Sequence, residues 1–279
     1  MVSIEARVDA GSKPNEDLAW HGENTVAILD GATGLGNQSV TDRESDGRWY
    51  VERLAEELSS QFERDRDLET VAAEAVASVS DDFEKLRRAE TVAQHERPSA
   101  AGVCCRWTED KLEYFVLGDC TLIVRSEDGV DVIRGEGPRE LDRRVIDTMV
   151  DIRNEAGSIP HDALLERVRP MLVEHRARQN EPDGYWTFGL DPAATSRGRS
   201  GTYDLATLRD ALLFTDGFEP LCELYDAFEG WKQVLRYVDD NGLERAIRLL
   251  RAFENADPGC EAFPRLKPSD DVGVVALSF

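Results

Sequence analysis

The chain has 279 residues, 41% of them hydrophobic, and a formal net charge of -23 at pH 7. That length suits one large core better than two domains, and the charge opposes nucleic acid and anionic lipid by long-range repulsion. No run of about 18 uncharged apolar residues exists, which excludes a membrane-spanning helix.

The start, Met1 to Asp9, lacks a basic region followed by an apolar core, so it does not read as a signal peptide. The five cysteines, at 104, 105, 120, 222 and 260, have no finger-like spacing, and reduced thiols in a cytoplasm are expected. Five lysines stand against 28 arginines in this acidic chain. That balance suits a protein kept soluble in a salt-loaded cytoplasm, where screening removes self-repulsion. Folding and activity retained without molar salt would refute this halophilic reading.

Residues 3–10 form a short alternating run, and a Pro- and Gly-containing loop follows, with Glu16-Asp17 at its end. Thr25 to Asp30 is an apolar run stopped by Asp30-Gly31-Ala32-Thr33-Gly34-Leu35-Gly36, a strand followed by a loop that permits close backbone approach. Residues 37–47 have no apolar period. Trp49, Val51, Leu54, Leu58 and Phe62, then Leu68 through Leu86, recur at helical spacing and predict two amphipathic helices.

From Ser99 the period becomes two. Ala100–Trp107, Leu112–Leu117, Leu122–Ser126 and Val130–Ile133 read as an antiparallel meander. Leu141 to Ile152 predicts a helix, and a second follows Pro160, with a kink or break expected at Pro170. Residues 179–204 are rich in turns, with a brief strand at Trp186 and Phe188 and with Arg197 and Arg199 as candidates to reach an anion. Ala211–Phe214 is a strand ending at Asp216-Gly217. Helices over Phe218–Phe228, Trp231–Val238 and Leu243–Phe253 precede Asp270-Asp271 and a last strand over Val272–Leu277. Blocks of hairpins set between helix pairs favour an α+β architecture of two packed sheets over a doubly wound one.

One Asp-Gly after a strand is ordinary turn chemistry. Here Asp30, Asp119, Asp216 and Asp270-Asp271 all flank apolar runs. If the fold gathers those run ends, the carboxylates repel one another unless cations intervene, and hard oxygen donors suit magnesium or manganese. Competing motifs fail on residues. Gly31–Gly36 is neither a phosphate-binding loop nor a dinucleotide fingerprint, no Gly-x-Ser-x-Gly occurs, and His21, His95, His161 and His175 show no metal-pair spacing.

Asn15-Glu16-Asp17, Asp30-Gly31, Gly118-Asp119-Cys120, Asp216-Gly217 and Asp270-Asp271, in that order across nearly the whole chain, resemble the protein phosphatase 2C family of metal-dependent serine/threonine phosphatases. The resemblance implies a central antiparallel β-sandwich flanked by helix pairs in four layers. It also implies a single phosphatase-like catalytic domain over 1–279, with a variable helical and loop insertion around 138–204. It further implies two Mg2+ or Mn2+ ions. Asp30 would bridge them, Asp17, the Gly31 carbonyl, Asp216 and Asp270 would complete the ligation, and Glu16 would act through ordered water. Such a pair of ions activates a water for in-line attack on phosphorus.

Three departures accompany the resemblance. Ser12 stands where family members usually carry the phosphate-holding arginine, leaving Lys13 as a substitute point charge. Ala32 replaces a histidine proton donor, so protonation of the leaving group falls to water. The family's usual Arg-Ala-x-Gly-Asp segment has no match. The expected activity is therefore phosphomonoester hydrolysis, with Asp30, Asp216 and Lys13 at the reaction centre and a phosphorylated protein as partner. The alternative is a weak or inactive relative that binds a phosphorylated partner. A cytoplasmic setting is expected, and the sequence leaves the oligomeric state open.

Overall fold

The computed structural model describes residues 2–11, 14–62, 66–157 and 159–279. In chain order its strands are β1 (Ser3–Asp9), β2 (Asp17–His21), β3 (Thr25–Ala32), β4 (Ser99–Trp107), β5 (Lys111–Leu117), β6 (Thr121–Ser126), β7 (Val130–Arg134), β8 (Arg199–Asp204), β9 (Leu208–Phe214) and β10 (Val272–Ser278). The helices are α1 (Asp46–Gln61), α2 (Leu68–Leu86), α3 (Arg139–Ala156), α4 (His161–Ala177), α5 (Pro220–Glu223), α6 (Trp231–Asn241) and α7 (Leu243–Ala256).

The strands form two five-stranded antiparallel sheets, ordered β1-β10-β9-β6-β7 and β2-β3-β4-β5-β8. Their side chains obey the two-residue period of a pleated strand. Val26 and Ile28 of β3 join Val103, Leu213 and Val275 between the sheets. Ala27 and Leu29, on the opposite face, pack under α1 and α2 with Tyr50, Leu54 and Val76. Leu212, Phe214 and Val274 of the first sheet pack outward against α6 and α7 through Val234, Leu235 and Leu250. The layers therefore run helix, sheet, sheet, helix, as expected from the order of hairpins and helices. Each fully buried Leu, Ile or Phe contributes about 1.5–3 kcal/mol.

The expected meander is two hairpins in different sheets. β4 pairs with β5 in one sheet, and β6 pairs with β7 and β9 in the other. The crossing happens at Gly118, whose φ of +85° lies in the left-handed region that glycine reaches without strain. Strands β2 and β8 carry no clear strand signal in the sequence. Both are edge strands with few fully buried positions, so neither shows a clean alternation. The helix expected over Phe218–Phe228 shrinks to the four residues of α5, and the chain then turns through Asp226 at positive φ. Pro170 does not break α4. It lies on the exposed side, where water can satisfy the carbonyl that its missing N–H frees.

The third helix pair, α3–α4, has a small apolar seam of Val145, Met149, Leu164 and Val168. It is attached elsewhere by packing of Leu266, by ion pairs from Arg139 to Glu219 and Glu223, and by polar contacts to backbone carbonyls. Arg153 donates to the Gly259 and Cys260 carbonyls at 2.9 and 2.7 Å, His161 Nε2 lies 2.8 Å from the Leu266 carbonyl, and Arg169 donates to the Leu35 carbonyl at 2.9 Å.

Candidate metal centre and its cavity

Strand register places the first two carboxylates. Asp17 and Asp30 are directly paired across β2 and β3, and Asp30 shares the inter-sheet face of Val26 and Ile28. Two aspartates thus stand side by side at one end of the sandwich, on a face that is apolar one step further in. From the facing sheet, Thr215 donates to Asp17 Oδ2 at 2.7 Å and accepts from the Gly273 N–H at 2.9 Å, joining the two sheets. Asp271 fixes the approach of the N-terminal loop, accepting from the backbone N–H groups of Gly11 and Glu16 at 2.9 Å each. A Cβ at Gly217 would lie 2.0 Å from the Asp271 carbonyl, so the turn after Asp216 requires glycine.

These elements surround a cavity of about 480 Å³ whose lining includes Asp30, Asp119, Asp142, Asp216 and Asp270. Asp17 lies beneath it, 2% exposed. Burial and then the neighbouring aspartates push the Asp17 and Asp30 carboxyls well above the ordinary carboxylate range. The same two causes raise Asp119 to about 8 and Asp142 to about 7. Asp270 is pushed up to about 6, the effect of burial being partly offset by Lys267.

The donor set fits a hard divalent cation. It is all oxygen, like-charged and buried, and ionising every carboxylate requires positive charge nearby. The side chains do not themselves close around one point, since no group of three His, Cys, Asp or Glu among the described residues is spaced to hold an ion.

The sequence-expected residues fare differently. Asp17, Asp30, Gly31, Asp216 and Asp270 come together. Glu16 also lines the cavity, but its carboxylate is taken up by hydrogen bonds from the Thr33 N–H at 3.0 Å, the Thr33 hydroxyl at 2.5 Å and the Ser45 hydroxyl. Ser45 caps α1 by accepting from the Arg48 N–H at 2.9 Å, so Glu16 ties that helix to β2 and β3. Lys13 lies outside the described residues. Arg197 and Arg199 do not line the cavity, and Arg197 stacks over Trp186 at 4.8 Å.

Three cavity residues lie outside the ligand set that the resemblance implies. Asp119 stands at the end of an apolar run, among the carboxylates expected to converge there. Asp142 projects from α3 and Lys267 from the loop before Asp270. Lys267 Nζ lies 2.5 Å from Asp270. Although partial desolvation at the cavity wall opposes its charge, Asp270 and then Asp216 hold this ammonium above its ordinary range.

The fold is that of the PPM-type serine/threonine phosphatases. The serine/threonine phosphatase PstP/Ppp of Mycobacterium tuberculosis aligns over 100% of this chain and 98% of its own, with a TM-score of 0.60 and 13% identity. The PstP catalytic domain in complex with two manganese ions aligns over 99% and 97%, with a TM-score of 0.57 and 12% identity. Stp1 of Staphylococcus aureus aligns over 100% and 95%, with a TM-score of 0.56 and 15% identity. No protein-family model and no curated protein matches the sequence.

Proposed function

We propose that this protein is a metal-dependent phosphomonoesterase acting on phosphoserine or phosphothreonine in proteins. One observation carries the reading: carboxylates from Asp17 to Asp270, contributed by both sheets, converge at one end of a sandwich whose fold is that of known serine/threonine phosphatases. Two divalent cations bound there would supply an activated water and neutralise charge on the phosphoryl oxygens. Magnesium and manganese are the candidates, and a structural neighbour was solved with two manganese ions.

In this reading Asp30, Asp17, Asp216, Asp270 and the Gly31 carbonyl hold the cations, and Glu16 stays in the outer sphere on Thr33 and Ser45. Thr215 keeps Asp17 aimed by donating to one of its oxygens, leaving the other available. Ala32 supplies no proton, so the departing alkoxide takes one from water. A non-catalytic module that only binds a phosphorylated partner is not favoured, because it gains nothing from crowding five costly carboxylates.

With manganese present, the purified protein should hydrolyse an aryl phosphate and phosphopeptides. Asp30→Asn and Asp216→Asn should each lower kcat by about a hundredfold or more, the scale expected when charge stabilisation of a transition state is lost. Unchanged rates in both variants would defeat the proposal.

No helix among the described residues is long and apolar enough to cross a membrane. A cytoplasmic site of action belongs to the same proposal and rests on the thiols and the charge. Cys104, Cys105, Cys120, Cys222 and Cys260 are all free.

A further inference from the structure

A phosphate ester entering this cavity meets at least five aspartates, so the chain must offer it positive charge beyond whatever the carboxylates hold. Among the described residues, the cationic side chains lining the cavity are Arg176, Arg265 and Lys267.

Arg265 is committed to structure. It donates to Asp257 Oδ2 at 2.9 Å and to the carbonyls of Asp257, Phe263 and Pro268 at 2.7, 2.8 and 3.1 Å. Arg176 is a strut from α4, with one Nη donating to the carbonyls of Ala32 and Arg97 at 3.0 and 3.4 Å. Lys267 differs from both. Its ammonium is paired with Asp270, it lies in the field of Asp216 and Asp30, and its side chain is 59% exposed. A four-carbon stem with an exposed flank can pivot, which the Arg265 guanidinium, locked on several carbonyls, cannot, and Arg176 is tethered through one Nη to the Ala32 and Arg97 carbonyls.

The backbone on each side of Lys267 is nevertheless fixed. Arg265 holds the Pro268 carbonyl behind it, and His161 of α4 holds the Leu266 carbonyl in front. Asp257 accepts from the N–H groups of Glu261, Ala262 and Phe263 at 2.9, 3.2 and 3.0 Å, which freezes the loop leading in. Arg153 of α3 grips the same loop at Gly259 and Cys260. A mobile charged head on an immobilised base is the arrangement that a substrate-receiving lysine needs.

We propose that Lys267 is the phosphate-binding cation of this site, pivoting from Asp270 onto a phosphoryl oxygen of the substrate, with α3 and α4 positioning it through Arg153 and His161. The proposal rests on the phosphomonoesterase reading for its ligand. It also gives the α3–α4 pair a task that the sandwich itself does not require.

The test is calorimetric titration of inorganic phosphate into the full-length protein with manganese, for wild type, Lys267→Met, Lys267→Arg and Lys13→Met, with manganese titrated alone as a control. A charged hydrogen bond to phosphate predicts at least about a tenfold weaker phosphate Kd in Lys267→Met. Lys267→Arg should recover phosphate binding to within about threefold, and manganese affinity should not fall in either variant. The KM for a phosphopeptide should rise with the phosphate Kd, while kcat changes less.

Four results would overturn the proposal: no phosphate binding by wild type, an unchanged Kd in Lys267→Met, a loss found only in Lys13→Met, or a loss of phosphate binding that merely tracks weakened manganese binding. A wild type that binds phosphate through Lys267 yet hydrolyses nothing would defeat the phosphatase reading and leave this one standing.

Discussion

The helix pairs α1–α2 and α3–α4 are alike in length and opposite in attachment. The first pair has 16 and 19 residues and buries Tyr50, Leu54, Leu58, Val71, Val76 and Phe83 against a sheet. The second has 18 and 17 residues and buries only Val145, Met149, Leu164 and Val168. Its other ties include the Arg139 ion pairs with Glu219 and Glu223, packing of Leu266 on the seam, and side chains reaching backbone carbonyls around the cavity. Apolar area holds the first pair, so it belongs to the stability of the fold. Polar contacts at the cavity rim hold the second, and each of these adds little net stability while fixing position.

The sharpest way to break this contrast is to truncate one buried side chain in each pair. Leu54→Ala should cost about 3 kcal/mol, by lost transfer energy and a residual cavity. Val168→Ala should cost about 1.5 kcal/mol, the transfer term for two buried methyl groups, yet raise the KM for phosphopeptides, because the seam that seats the His161–Leu266 contact loosens. Chemical denaturation measures both costs, and equal costs would end the distinction.

The floor of the cavity should follow the first pair. Thr215→Val leaves a buried Asp17 oxygen and the Gly273 N–H without their partner, which should destabilise by about 2 kcal/mol. A stability within 0.5 kcal/mol of wild type, roughly the size of an ordinary surface substitution, would show that the floor is not knit together as described.

The smallest expected effect is on pH dependence, and it concerns both regions because Asp142 sits on α3. In the metal-free protein Asp270, Asp142 and Asp119 titrate at about 6, 7 and 8, and Asp17 and Asp30 are also raised, whereas the unfolded carboxyls titrate near 4. The folded state therefore holds more protons between those limits. The stability these groups contribute is present in full below about pH 4 and is lost as pH rises through about 6 to 8. Melting temperature measured in chelator should fall between pH 5 and 8.5. Manganese should flatten that fall, and Asp142→Asn should reduce it. A melting temperature that climbs over this range in chelator would contradict the arrangement.

Much of the site was legible in the sequence for a local reason. An apolar run ending in Asp-Gly states both that a strand is buried and that a carboxylate stands at its end; Asp30 and Asp216 are legible in that way, and Asp270 as one of an acidic pair just before the last run. Asp142 and Lys267 carried no such sign. Asp142 looks like any first-turn helix acid, and Lys267 like a loop charge between two prolines. Both reach the cavity because Arg153 and His161 bind carbonyls more than a hundred residues away, and backbone carbonyls leave no mark in a sequence.

Chain order and periodicity alone determined that this protein has a sandwich between helix pairs with aspartates at the ends of its strands, because burial imposes a period of two on strands and of about 3.6 on helices. Only the tertiary structure decided that β5 and β6 part into different sheets at Gly118. It also decided that Asp17 faces Asp30 across a strand pair and that Lys267 stands over Asp270. Register and the packing of one distant loop on another depend on contacts made once, between residues far apart, and no local pattern encodes them.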